Sequence, residues 1–175
     1  MSLLSLLIAL KHGMIMNNLV AANSWPLLQF TSNNTGPDDD LLLTLDVENA
    51  GIGPAIVKRF SVEYGGKPYT NQFELLRDCC GYVVTTVDPT KSGKDVPLVR
   101  FVEGQVIRSG ETITYLKMPF SDQYAESWRK LDRARFGLTF DACYCSVLGD
   151  CWESDLIGVE PTPVKQCAPS KELRS

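Results

Sequence analysis

The chain has 175 residues, 44% of them apolar, which is the length of one domain with enough apolar side chain to fill a core. Its 17 basic and 21 acidic residues leave a net charge of -4, and no run of Lys and Arg tracks a phosphate backbone, so nucleic acid is excluded as the expected partner. The six cysteines, Cys79, Cys80, Cys143, Cys145, Cys151 and Cys167, are an even number and predict disulfides in an oxidising compartment.

Leu3, Leu4, Leu6, Leu7, Ile8 and Leu10 form a nearly unbroken apolar run before Lys11 and His12. Met14, Ile15, Met16, Leu19 and Val20 extend it to the break at Trp25-Pro26, which predicts a helix from Leu3 to Ala22. The first run is shorter than the roughly 20 residues a bilayer crossing takes. No basic n-region and no clean cleavage site mark a signal peptide. The segment therefore reads as the end of a membrane anchor, or as a helix packed on the domain or on a second copy of itself. Lys11, on the domain side of the run, favours a cytoplasmic domain by the positive-inside rule. The cysteines favour export, and they outweigh one charge. Residues 1–24 are thus the helix, 25–160 the folded domain and 161–175 a Pro-containing tail.

After Trp25 the spacing changes to that of strands, first at Leu27 to Thr31 and then, past a solvated loop from Ser32 to Asp40, at Leu43, Leu45 and Val47. Asp38, Asp39 and Asp40 lack the alternation and central Gly of a calcium loop. The next strand places Ile56, Phe60, Val62 and Tyr64 on one face and Val57, Arg59, Ser61 and Glu63 on the other, and closes at Gly65-Gly66. Asn71 and Glu74 stand in capping-box positions for a short helix with Phe73 and Leu76 inward, ended by Cys79-Cys80-Gly81. Tyr82 to Val87 reads as a strand, Asp88 to Pro97 as a loop, Leu98 to Ile107 as an extended segment interrupted by Gly104, and Thr112 to Met118 as a strand. A helix from Ser121 to Arg133 carries Tyr124, Trp128 and Leu131 on one face. Phe136, Leu138, Phe140, Ala142 and Tyr144 then alternate toward a turn at Leu148-Gly149-Asp150, and the tail from Glu160 is expected to be extended and partly mobile.

The link Asn49-Ala50-Gly51-Ile52-Gly53-Pro54-Ala55 is similar to the turn of bacterial sandwich modules of the CARDB (cell-adhesion-related) type. The chain more closely resembles short, uncharacterised bacterial proteins in which a membrane helix and an Asn-Ser-x-Pro segment precede this turn, as Asn23-Ser24-Trp25-Pro26 does here. Arg108-Ser109-Gly110-Glu111 looks like the Gly-Glu turn before a late strand in such sandwiches. The resemblance implies an immunoglobulin-like β-sandwich, mainly β, with an N-terminal helix and one or two short helical insertions. It implies no activity. Physically, Gly51 and Gly53 are expected to supply positive φ, Pro54 to fix the exit, and Asn49 to hydrogen-bond the turn. A phosphate loop would lead into a helix, and here a strand follows.

No catalytic constellation is recognisable. His12, the only histidine, sits beside Lys11 in the N-terminal helix, away from any triad. Cys143 and Cys145 are one residue apart on an apparent strand, unlike the knuckle spacing of structural zinc sites, and no thioredoxin-like pattern surrounds Cys79-Cys80. No cofactor and no metal are expected. Trp128, Trp152 and Tyr144 have no spacing that marks a sugar platform. Cys145 and Cys151, with five residues between them across the turn, are expected to be bridged, with the other four cysteines paired in an order that spacing leaves open. The sequence thus points to a non-catalytic, envelope-tethered binding or assembly module, membrane-anchored with its domain outside the cytoplasm. Its expected partner is a protein or a second copy met through the N-terminal helix, with membrane contact possible. The alternative is a thiol-based metal-binding or redox protein.

Overall fold

In the computed structural model, residues 3–38, 40–83 and 96–168 are described. The apolar N-terminus is one helix, α1 (Leu3–Ala22). Among the described residues ten strands follow, all paired antiparallel: β1 (Leu28–Asn33), β2 (Leu42–Asn49), β3 (Ala55–Tyr64), β4 (Lys67–Tyr69), β5 (Leu98–Val99), β6 (Val106–Ile107), β7 (Thr112–Pro119), β8 (Thr139–Cys145), β9 (Cys151–Ser154) and β10 (Thr162–Val164). Helix α2 (Gln72–Cys80) lies between β4 and β5, and α3 (Ala125–Ala134) between β7 and β8. One sheet has the order β1-β2-β7-β5; the other has the order β10-β9-β8-β3-β4, with β6 also on β3. The chain is therefore mainly β, and its sheets share one core.

Leu28, Leu43, Leu45 and Val47 enter that core from the smaller sheet, and Val57, Phe60, Val62, Phe140, Ala142 and Tyr144 from the larger. Rings meet across it, Phe30 on Phe140 at 4.0 Å and Phe60 on Tyr115 at 5.2 Å. Two bulges place these residues. On β3, Lys58 is left over between the pairs Val57 with Tyr144 and Arg59 with Cys143, so the inward face is Val57, Phe60 and Val62. Simple alternation assigned Val57 to the outer face and Ile56 to the inner, and the extra residue reverses both. On β7, Tyr115 is left over between the partners of Leu45 and Asp46, so that Tyr115 and Leu116 are both buried.

The helices follow local chemistry. The Asn71 side chain accepts from the backbone N–H of Phe73 and Glu74, and Gly81, at φ 66°, closes the other end of α2. Leu75 and Leu76 form its buried face, while Phe73, expected inward, is exposed. A 3-10 turn, Asp122–Tyr124, leads into α3, so the α-helix begins four residues after Ser121. Trp128 and Leu131 are buried, and the Trp128 indole donates to the Met118 carbonyl at 3.1 Å.

Four further expectations change. Phe136 sits in a 3-10 turn and is exposed, so β8 begins only at Thr139. The segment Leu98 to Ile107 divides at Gly104, with β5 in one sheet and β6 in the other. Thr162–Val164 of the expected tail pairs with β9. Tyr82 and Val83 are outside any strand; Val84 to Val87, the loop from Asp88 to Asp95, Asp39 and the tail from Pro169 lie outside the described residues.

Burial holds the phenol groups neutral. Desolvation pushes Tyr82 and Tyr144 up to about 12 and Tyr115 further, and the Tyr115 hydroxyl has no hydrogen-bond partner among the described residues. An acid whose folded pKa lies above its unfolded value favours folding at lower pH, fully below about pH 10, and loses that contribution as pH rises through the folded value. Ultraviolet titration at about pH 11 will therefore find Tyr82, Tyr115 and Tyr144 still protonated in the folded protein, and every tyrosine ionising near 10 in urea. Full ionisation at that pH without unfolding would contradict this packing.

Candidate functional site

The turn residues singled out in the sequence gather at the end of the fold where α1 joins it. Asn49, fully buried at the end of β2, accepts through Oδ1 from the backbone N–H of Leu27 at 3.1 Å and Gly51 at 3.0 Å. Its Nδ2 donates to the carbonyls of Gly53 at 2.8 Å and Ile107 at 2.9 Å. The Arg108-Ser109-Gly110-Glu111 turn docks on the same knot, with Gly110 N–H donating to the Asn49 carbonyl and the Ser109 hydroxyl to that of Gly51. Neither Gly51 nor Gly53 has positive φ. They are glycines because a Cβ would strike backbone, that of Trp25 and Leu27 at Gly51 and that of Ser24 at Gly53. The expected role of these glycines changes from turn conformation to close approach, with Pro54 leading straight into β3.

The second cluster is built of sulfur. Strand alternation places Cys143 and Cys145 on the outer face of β8, since Ala142 and Tyr144 point into the core. Cys145 faces Cys151 across β9 and is bridged to it. Cys143 faces Arg59 and Glu153 instead, and is bridged to Cys167 in the segment that returns over this face after β10. Arg59 helps to hold that strap: its guanidinium pairs with Asp141 at 3.0 Å and Glu153 at 2.9 Å, and donates to the Ala168 carbonyl at 3.2 Å. The two bridges touch, with Cys145 Sγ 3.8 Å from Cys167 Sγ.

Cys79 and Cys80 are bridged to each other in the last turn of α2. A bond between adjacent residues closes only the small ring of the two residues themselves, so it restricts the rest of the unfolded chain little. Metal binding would fall to the sulfur cluster, where the Sγ atoms of Cys145, Cys151 and Cys167 lie within 4.8 Å of one another. Paired as disulfides they offer no thiolate, so a soft metal would require their reduction.

Sequence reasoning missed the exposed apolar surface beside the knot. Ile52 is in the turn that hydrogen-bonds the Trp25 carbonyl, Val106 pairs with Ile56, and Val147-Leu148 caps the hairpin beyond Cys145, itself a partner of Ile56. All four are more than half exposed, at 59%, 55%, 57% and 51% in that order. Only the register brings them to one end. The aromatic residues considered for sugar stacking form no platform, because Trp128 and Tyr144 are buried in the core. An open groove of about 410 Å³ beside β9 is lined by Asp141, Glu153, Asp155 and Glu160 among others. The first two serve Arg59, and Asp155 accepts from the N–H groups of Ile157 and Gly158.

The chain matches no protein-family model, no curated protein and no solved structure.

The Asn49 knot generates a stability prediction. Asn49→Ala leaves two buried N–H groups and two buried carbonyls without their partner, a loss of at least about 3 kcal/mol by urea unfolding. Asn49→Asp fails to rescue it, because a carboxylate cannot donate to Gly53 and Ile107. A loss below about 1 kcal/mol for Asn49→Ala would mean that the knot is not what fixes this end.

Proposed function

We propose that the chain is a non-catalytic binding or assembly module of the cell envelope, an immunoglobulin-like sandwich of the CARDB kind held at a membrane surface by its N-terminal end. The observation that carries this reading is that two exposed apolar surfaces lie at one end of the fold. Leu7, Ile8, Leu10, Met14, Ile15, Met16, Leu19 and Val20 of α1 are all exposed. Their positions point to every side of the helix, and a helix that is apolar all round calls for an apolar surround rather than a one-sided groove. No helix among the described residues is long and apolar enough to cross a membrane. The reading is therefore one of tethering, with α1 entering the lipid in part and Lys11 and His12 reaching for the headgroups. Trp25, where the helix ends, is 37% exposed and suits the boundary between lipid and water. Ile52, Val106, Val147 and Leu148 lie at that same end, where the tether would bring them to the membrane. The disulfides support placement in an oxidising compartment, outside the cytoplasm.

Flotation of the full chain with phosphatidylcholine vesicles tests the reading. The wild type is expected to float. The double variant Val147→Asp, Leu148→Asp loses at least tenfold in partitioning, the equivalent of about 1.4 kcal/mol. Both proteins staying at the bottom of the gradient would remove the tether. A wild type that floats with an equally buoyant variant would confine it to α1.

A further inference from the structure

Beyond the tether, and without depending on it, the sulfur cluster carries a chemistry of its own. Cys143–Cys167 and Cys145–Cys151 lie side by side on the outer face of the larger sheet, and Cys145 Sγ stands 3.8 Å from Cys167 Sγ, a member of the other bond. That gap is close to the roughly 3.5 Å at which reacting atoms are already in near-attack position. Cys145 and Cys151 are each 7% exposed, Cys167 is half-buried and Cys143 is fully buried. Exposure is therefore greatest at Cys167, small at the hairpin pair and nil at the Cys143 end of the strap bond.

We propose that these cysteines form a thiol–disulfide exchange site that takes two electrons from a dithiol and re-pairs as Cys145–Cys167. A thiolate of the dithiol attacks Cys151 Sγ, the bond to Cys145 breaks, and Cys145 leaves as a thiolate. Cys145 Sγ then attacks Cys167 Sγ, forming the new bond and expelling Cys143, which takes up a proton. The second thiolate of the dithiol attacks the dithiol's own sulfur in the mixed disulfide, leaving as a cyclic disulfide and freeing Cys151, which is protonated. The dithiol has lost two electrons and two protons, and the protons reside on Cys143 and Cys151. One of the two protein disulfides has been reduced and the survivor joins different partners. Arg59, the cross-strand partner of Cys143, sets a cation beside the departing sulfur, tempered by the Asp141 and Glu153 carboxylates that pair with it. The exchange moves the strap's attachment two residues along β8, toward the hairpin turn and away from Arg59.

The test titrates the oxidised, full-length protein with dithiothreitol, quenches it with acid, alkylates it and maps the linked peptides. Chymotryptic cleavage after Tyr144 separates Cys143 from Cys145, and Cys79–Cys80 is read in its own peptide. At partial reduction the main product is expected to be the Cys145–Cys167 peptide, with Cys143 and Cys151 alkylated. In Cys145→Ser that peptide cannot form, and Cys143–Cys167 survives to at least tenfold more dithiol. The wild-type map decides even if the variant fails to fold. A two-electron product that keeps Cys143–Cys167 with Cys145 and Cys151 alkylated overturns the proposal, as does loss of both bridges together with no Cys145–Cys167 species.

Discussion

Four backbone groups from three stretches of the chain, those of Leu27, of Gly51 and Gly53, and of Ile107, end on one buried side chain, that of Asn49. Two need an acceptor and two need a donor, which a carboxamide supplies and neither a carboxylate nor an aliphatic group does. The rest of the helix-proximal end follows from this. The bonds to Leu27 and Gly51 fix how the chain leaves α1 and enters β1. That to Ile107 ties β6, which pairs with the start of β3, and through it the turn before β7, to the end of β2. Because the groups are buried, leaving any of them unpaired costs more than the bond itself contributes, so the knot specifies the geometry as well as stabilising it.

On the outer face of the larger sheet, position along β8 decides which cysteines can meet. Cys145 has a cysteine across from it and needs only a short hairpin. Cys143 is flanked by Arg59 and Glu153, so its partner must come from above the sheet, and the chain after β10 supplies it. The strap thus crosses a face that already carries an ion-paired arginine, and the Ala168 carbonyl uses a donor that the carboxylates leave over. Spacing by two residues on one strand is what brings the two bridges into contact.

Much of this was legible in residue order. The helix from Leu3 to Ala22, the alternation through Leu43, Leu45 and Val47, the Asn71 cap and the hairpin at Gly149 all depend on neighbours within a few positions, and periodicity and turn chemistry report such neighbours directly. What escaped depends on pairing between distant strands. Lys58 and Tyr115 are bulged only because their partner strands fix the register on either side, so the inversion of Val57 and Ile56 leaves no trace in the local pattern. Local turn chemistry marks Gly51 and Gly53 as turn glycines, whereas contact with backbone around Trp25 demands them. The pairing of Cys143 with Cys167 required the path of the strap.

The apolar residues at the helix-proximal end belong to this second kind, since Ile52 and Val147-Leu148 come from two separate loops and Val106 from β6. Scattered exposed apolar residues need no special account, but several at the one end where an apolar helix leaves the fold are a different matter. The Asn49 knot makes that end stiff, for the carbonyl of Trp25 accepts from both Ile52 and Gly53. Under the proposed tether, a stiff junction transmits orientation: a surface that receives α1 would also set the distance and tilt at which Ile52 and the Val147-Leu148 tip are presented. A flexible linker would average that orientation away. The buried asparagine, the two close-packed glycines and the exposed apolar rim are thus parts of one arrangement, in which the polar interior of the knot keeps the apolar exterior in a fixed place.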